Sequence, residues 1–253
     1  MKNRFSLEGK TAMITGASRG IGEAIAHCLS ENGASVILVS RKIDALKKVQ
    51  DSIIEKGGKA DCFACNMGDM AQIKELVSTL QKKYGSIDIL VNNAAANPYF
   101  GEMIDAEEWA WDKIMDVNLK GPFFIITEFA KLMKENNGGS IVNVSSINGI
   151  KPAPFQGIYS ISKAALIAMT KAFAKELAPH NIRVNALLPG LTDTKFASAL
   201  TSDENLKNMI VSQIPVGRVA EPEDMAGAVL YLVSDASSYT TGSLLVCDGG
   251  MLA

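Results

Sequence analysis

Histidine is scarce in this chain: only His27 and His180 occur among 253 residues, and no Cys/His cluster has metal-ligand spacing. A metal centre is therefore not expected, and each histidine reads as a packed or surface side chain. An excess of charge of one sign is missing too. With 25 basic and 27 acidic residues the net charge is −2, which leaves no electrostatic footprint for nucleic acid. Nothing approaches the ~18 continuous apolar residues of a membrane span. The basic start MKNRF is not followed by an apolar stretch of secretory length. Linkers, internal repeats and low-complexity tracts are also absent. What remains is the expectation of a soluble, cytoplasmic protein. The cysteines Cys28, Cys62, Cys65 and Cys247 fit a reducing compartment. Cys62 and Cys65 have the spacing of a redox pair, but Lys59 to Asn66 reads as a strand. Residues three apart there point to opposite faces, so the sulfurs diverge and act as packing thiols.

What is present is the composition of a globular protein, 47% hydrophobic and 21% charged. Short apolar runs predict strands at 11–15, 35–39, 60–65, 88–92, 140–145, 183–188 and 243–247. Helical patterns lie between them, near 20–31, 43–56, 69–84, 106–118, 123–136, 157–178 and 222–234. Regular alternation of this kind means βαβ crossovers and a parallel sheet covered on both faces. The expectation is a single α/β domain over residues 1–253, a doubly wound sheet of seven strands, with a substrate-loop region at about 191–215.

Two motifs carry chemistry. Thr11 to Thr15 is a strand candidate that runs into Gly16-Ala17-Ser18-Arg19-Gly20-Ile21-Gly22 and then a helix. Glycines allow a tight turn and close approach, while a helix N-terminus offers unpaired N–H groups to a pyrophosphate. Further on, Tyr159 and Lys163 are spaced to share one helix face, with Ser146 thirteen residues upstream. An ammonium beside a phenol in a water-poor site is expected to lower its pKa from ~10, so that it can exchange a proton at neutrality. The segments TGASRG, NNAAA, NVSS and LLPG all fall at strand carboxyl ends, where such sheets bind dinucleotides.

Thr15–Gly22, Asn92-Asn93-Ala94-Ala95, Asn118 in DVNLKG, Ser146 in IVNVSS, Tyr159-x-x-x-Lys163 and Pro189-Gly190 stand in one order and spacing. Together with the closing PVGRVAEPEDMAGAVLYLVSD and TGSLLVCDGG, they resemble the short-chain dehydrogenase/reductase family from about Lys10 to Gly250. The resemblance implies a Rossmann fold and hydride transfer between a nicotinamide and a carbonyl or alcohol carbon. It implies Tyr159 as general acid/base and Ser146 polarising the carbonyl oxygen. Lys163 would tune Tyr159 and hold the nicotinamide ribose, and Asn118 would keep a proton-relay water. Cofactor contacts are implied for Gly16, Ser18, Arg19, Gly20, Ile21, Gly22, Ser40, Arg41, Lys42, Asn66, Met67, Asn93, Ala94, Ala95, Tyr159, Lys163, Pro189, Gly190, Thr192 and Thr194.

After the second strand candidate stand Ser40-Arg41-Lys42, not a carboxylate that would hold the ribose hydroxyls of NAD. With Arg19 these cations suit a 2′-phosphate, so NADP(H) is expected, NAD being the alternative. Asn66 stands where family members often carry an aspartate, and Ala95 where they carry a glycine. Pocket walls are expected from Asn97 to Phe100, Ile147 to Gln156 and Leu191 to Ile214, with Phe100, Ile150, Phe155, Leu191 and Phe196 as an apolar lining. NAAANPYFG is similar to the carbonyl/retinal reductase branch, and TGASRGIG with PVGR and PEDMA to 3-oxoacyl-carrier-protein reductases. Sugar or polyol dehydrogenation and a catalytically inactive nucleotide-binding regulator are the other readings. The apolar helix from Tyr159 to Ala178 and the resemblance imply a homotetramer.

Overall fold

The computed structural model describes residues 3–195 and 204–253. Its strands are β1 (Thr11–Thr15), β2 (Ser35–Ser40), β3 (Lys59–Ala64), β4 (Ile89–Asn92), β5 (Gly139–Val144), β6 (Ile182–Pro189) and β7 (Leu244–Cys247). They form one sheet in the order β3-β2-β1-β4-β5-β6-β7, and every pairing is parallel. Each strand expected from the sequence is found within one residue of its expected ends. The strand order reverses at β1, which takes β2 on one edge and β4 on the other.

The connecting helices are α1 (Gly20–Glu31), α2 (Ile43–Glu55), α3 (Met70–Tyr84), α4 (Glu108–Met115), α5 (Gly121–Glu135), α6 (Gly157–Leu177), α7 (Glu204–Val211) and α8 (Glu223–Val233). A parallel strand covered on both faces must be apolar on both. In β1, Ala12 and Ile14 face one core and Met13 the other. On the first face, Ile25 and Leu29 of α1, Leu46 and Ile53 of α2 and Val229 of α8 pack over Val36 and Leu38. On the second, Ile73 of α3, Phe129 and Met133 of α5 and Leu166 of α6 cover Ile37, Leu90 and Ile141. Each fully buried side chain of this size contributes ~1.5–3 kcal/mol. Cys62 packs with the first core and Cys65 with the second, on opposite sides of the sheet as the strand period requires.

Two features differ from the expected pattern. The helices expected at 106–118 and 123–136 are not separated by a loop. A π-turn over Asp116–Lys120 joins α4 directly to α5, and the Gly121 N–H donates to the Asp116 carbonyl five residues back. Pro122 explains the widening: it has no N–H, so the Asn118 carbonyl loses the donor an α-helix would supply four residues on. Gly121 is required because a Cβ there would press into the Met67 carbonyl oxygen. The second difference is α7, which lies in a stretch read as loop. It is only eight residues long, and its apolar Leu206, Met209 and Ile210 make too short a pattern to separate from a loop by sequence. Phe196 and the 196–203 part of the expected substrate loop lie outside the described residues. Among the described residues no helix is long and apolar enough to cross a membrane.

Candidate active site

The end of β1, the start of α1 and the end of β4 are laced together where the strand order reverses. The Thr15 hydroxyl oxygen accepts from the N–H groups of Asn93 and Ala94 at 3.0 and 3.1 Å. The Asn93 amide in turn donates to the carbonyls of Thr15 and Gly16 at 3.0 and 3.2 Å. Gly16 and Gly20 adopt left-handed φ of 69° and 58°, which side chains resist. At Gly22 a Cβ would strike the Gly16 carbonyl oxygen, so its absence lets α1 seat against the turn. The residue before α1, Arg19, makes no side-chain capping bond. The turn therefore presents first-turn N–H groups without a capping side chain, the donor set that a pyrophosphate needs. These residues fit a dinucleotide. Thr194 lies above Gly20, its methyl 3.1 Å from where a Cβ would stand, so the chain after β6 reaches over the glycine turn. Thr192 is buried and donates to the Gly190 carbonyl at 3.2 Å.

A groove of about 640 Å³ opens beside this turn, lined by Ser18, Glu23, Arg41, Lys42, Asp44 and Lys48 among others. Arg41 and Lys42 are exposed there, while Glu23 and Asp44 offset part of their charge. Asn66 commits its side-chain oxygen to the N–H of Gly68 at 3.2 Å. Met67 turns its side chain into the core. Ala95 has negative φ, so the methyl that replaces the family's usual glycine brings no backbone strain.

Ser146, Tyr159 and Lys163 come together at the carboxyl end of β5. Ser146 follows the strand with an extended backbone and accepts from the Asn148 N–H at 3.1 Å. Its side chain is hydrogen-bonded to the Tyr159 hydroxyl. The neighbouring Ser145 is committed elsewhere, donating to the Lys163 carbonyl at 2.9 Å. That separates two serines the sequence leaves adjacent. Lys163 is 2% exposed, donates to the Val144 carbonyl at 2.8 Å, and holds its Nζ 5.5 Å from the centre of the Tyr159 ring.

The pKa of Tyr159 departs from expectation. Burial pushes the phenol up to about 12, and the hydrogen bond from Ser146 opposes this only in part. Burial also pushes the Lys163 amine down to about 7. Desolvation disfavours both charged forms, so the protein alone does not produce the lowered phenol that the Tyr-x-x-x-Lys spacing predicts.

The side chain of Asn118 is occupied by protein partners. Its side-chain oxygen accepts from the Ala96 N–H at 2.7 Å, and its amide donates to the Ala96 carbonyl and to Ser162 at 3.0 and 3.1 Å. The side chain is thus consumed in clamping the loop after β4. The Asn118 main-chain carbonyl has no N–H four residues on, because that position is Pro122.

Ser162 was not among the sequence candidates, while Gln156 and Asn148 fell within the expected pocket wall without a role of their own. Ser162 accepts from Asn118 and donates to the Tyr159 carbonyl at 2.7 Å, joining the π-turn to α6. Gln156, buried at the start of α6, accepts from the amides of Asn97 and Asn148 at 3.4 and 3.3 Å. It thereby links both loops to Ser146. Ser162 could have been found from its position in YSISK; Gln156 and Asn148 carry no sequence signal of their own. Beneath the site, Asn92 donates to Asn143, and Asn143 to Thr170, tying the ends of β4 and β5 to α6.

A family model described as enoyl-(acyl carrier protein) reductase matches residues 16–252. The chain is 40% identical over 250 residues to dehydrogenase/reductase SDR family member 4 of Homo sapiens, covering 99% of this chain and 90% of that protein. It is 42% identical over 250 residues to the 3-oxoacyl-[acyl-carrier-protein] reductase of Thermotoga maritima, covering 97% and 99%. Among solved structures, a gluconate 5-dehydrogenase from Burkholderia cenocepacia, in complex with NADP and tartrate, superposes with a TM-score of 0.95. It is 30% identical, with 98% and 97% of the two chains covered. A short-chain type dehydrogenase/reductase from Mycobacterium marinum gives 0.92 at 39% identity, with 98% and 97% covered. The glycine turn, the Ser146–Tyr159–Lys163 cluster and these relatives agree: the chain belongs to the short-chain dehydrogenase/reductase family, nicotinamide-dependent oxidoreductases acting on CH–OH and carbonyl groups.

Proposed function

We propose that the protein is an NADP(H)-dependent carbonyl reductase, running as a secondary-alcohol dehydrogenase in reverse, with Tyr159 as its proton donor. The observation that carries this reading is the hydrogen-bonded Ser146–Tyr159 pair above a buried Lys163, beside an uncapped helix N-terminus. The bound nicotinamide supplies the hydride. Ser146 donates to the carbonyl oxygen and favours the charge that develops there. Tyr159, kept protonated well above neutral pH, gives its proton to the nascent alkoxide. Lys163 carries a proton that is labile near pH 7, beneath the phenol ring, and replenishes it. The Asn118 main-chain carbonyl holds the water that links Lys163 to solvent.

NADP(H) is favoured by Arg41 and Lys42 at the groove and by the NADP in the Burkholderia structure. Arg19, Ser18 and Ser40 complete the phosphate side. Arg41→Asp is expected to raise the KM for NADPH about 10- to 100-fold while changing that for NADH less than about threefold. Steady-state kinetics with both coenzymes check this, and equal effects on the two would remove the assignment. A spectrophotometric panel of ketones, aldehydes and 3-oxoacyl thioesters tests the carbonyl reading. The Thermotoga relative makes 3-oxoacyl thioesters the second candidate class.

The protein is read as cytoplasmic and as a single domain that associates into tetramers. Trp109 and Trp111 of α4, Phe123 and Phe124 of α5 and Ile161 of α6 are exposed apolar side chains, which support contact between copies. Sedimentation at micromolar concentration is expected to give the tetramer mass; monomer alone would count against it.

A further inference from the structure

Three described residues other than glycine hold positive φ: Asn137, Asn181 and Phe155. Asparagine visits this region at low cost, through its short polar side chain. A bulky aromatic does not, and Phe155 at φ 61° is the outlier. Its ring is 50% exposed, so core packing does not explain why the chain accepts the strain. The conformation is fixed by the Gly101 N–H, which donates to the Phe155 carbonyl at 3.0 Å. The ring rests against Phe100, itself 48% exposed, with centroids 5.8 Å apart.

These contacts join the two loops that enter the active site. One carries Asn97, the other runs from Ser146 to the helix of Tyr159, and Gln156 bonds to both. A groove of about 330 Å³ lies between them, lined by Met103, Ile104, Pro152, Pro154 and Phe155, the size of a small ligand site. Strain of this kind persists where the surroundings hold a side chain in place for a task.

We infer that Phe155 is a specificity-determining residue which, with Phe100, receives the apolar arm of the substrate. The preferred substrates are then ketones and aldehydes that carry an aryl ring or a medium alkyl chain. The inference rests on the carbonyl-reduction reading. It continues the apolar lining expected from sequence, but assigns its energetic cost and its role to one residue.

The test uses the full-length enzyme with NADPH and two ketones, acetophenone and acetone. Phe155→Gly and Phe155→Ala both remove the ring, and only glycine also relieves the backbone. Both variants should lose at least about tenfold in kcat/KM for acetophenone and less than about threefold for acetone. The glycine variant should melt roughly 2–6 °C above the alanine variant. Equal losses for both ketones, or no loss for either, would overturn the inference while leaving the reductase reading intact. A changed sedimentation coefficient with unchanged selectivity would give the patch to a second copy of the chain, and also overturn it. If the unaltered enzyme turns over no ketone or aldehyde, the carbonyl reading falls first and this inference with it.

Discussion

Tyr159→Phe is expected to lower kcat by roughly a thousandfold, the range over which a positioned proton donor acts. The substitution removes one oxygen from a ring that is 8% exposed and packed, so volume and helix are kept. What is lost is the hydroxyl that pairs with Ser146 and, in the proposed reaction, donates to the alkoxide. Affinity for NADPH should stay within about threefold, because neither the glycine turn nor the Arg41 groove is touched. Stopped-flow turnover and fluorescence titration of NADPH measure the two effects separately. Residual activity above about a tenth of the parent would move the proton to another group. Ser146, already bonded to Tyr159, is then the residue to test next.

Lys163→Met should lower kcat about a hundredfold and yet make the protein more stable at neutral pH. The reason is burial. The amine is pushed down to about 7 because its charged form has lost water, with a single carbonyl partner given in return. Below pH 7 the lysine is charged in both folded and unfolded chains, and the folded state bears the full desolvation cost. Between pH 7 and the ordinary lysine value of 10.5 the unfolded chain keeps a proton that the folded chain has released, so stability contributed by this site rises with pH. Methionine removes the cost altogether. The variant should gain about 1–3 kcal/mol near pH 6.5, and the gain should shrink steadily towards pH 10. Tyr159 acts in the opposite sense and later. Its folded value of about 12 against 10.0 makes stability fall with pH only in that window. Thermal melts of parent and variant at pH 6.5, 8 and 9.5 resolve the difference. A variant that is less stable at pH 6.5, or a gain that does not change with pH, would sink the account of Lys163.

The strands were legible because a buried parallel strand is a short run rich in apolar residues, such as the VILV of β2 or the ILV of β4, and needs no partner to be recognised. The order of the motifs along the chain also located Ser146, Tyr159 and Lys163. Their electrostatics was not legible. Spacing says that an ammonium and a phenol share a face; it does not say that both lie under enough protein for desolvation to outweigh their attraction. Asn118 was found for its position, but the Ala96 backbone that occupies its side-chain amide lies 22 residues away and left no mark in the motif. Gly121-Pro122 looks like a break between helices. Only the π-turn reveals that the chain bridges it without leaving the helix. The α7 helix was missed because its periodic apolar residues, Leu206, Met209 and Ile210, span only two turns, too few to stand out from a loop.

The reversal of strand order at β1 also bears on how the protein is made. A nascent chain can lay β2 and β3 beside β1 once Ala64 has emerged from the ribosome, but the other edge of β1 waits for Ile89 to Asn92 to emerge. Until then Ala12 to Ile14 present an unsatisfied backbone edge flanked by apolar side chains, a template for pairing with foreign strands. The strand whose end frames the coenzyme crevice in the finished fold is, until β4 arrives, an open edge at which foreign strands can pair. Chaperones that shield the growing polypeptide across this interval should govern how much native protein a cell recovers.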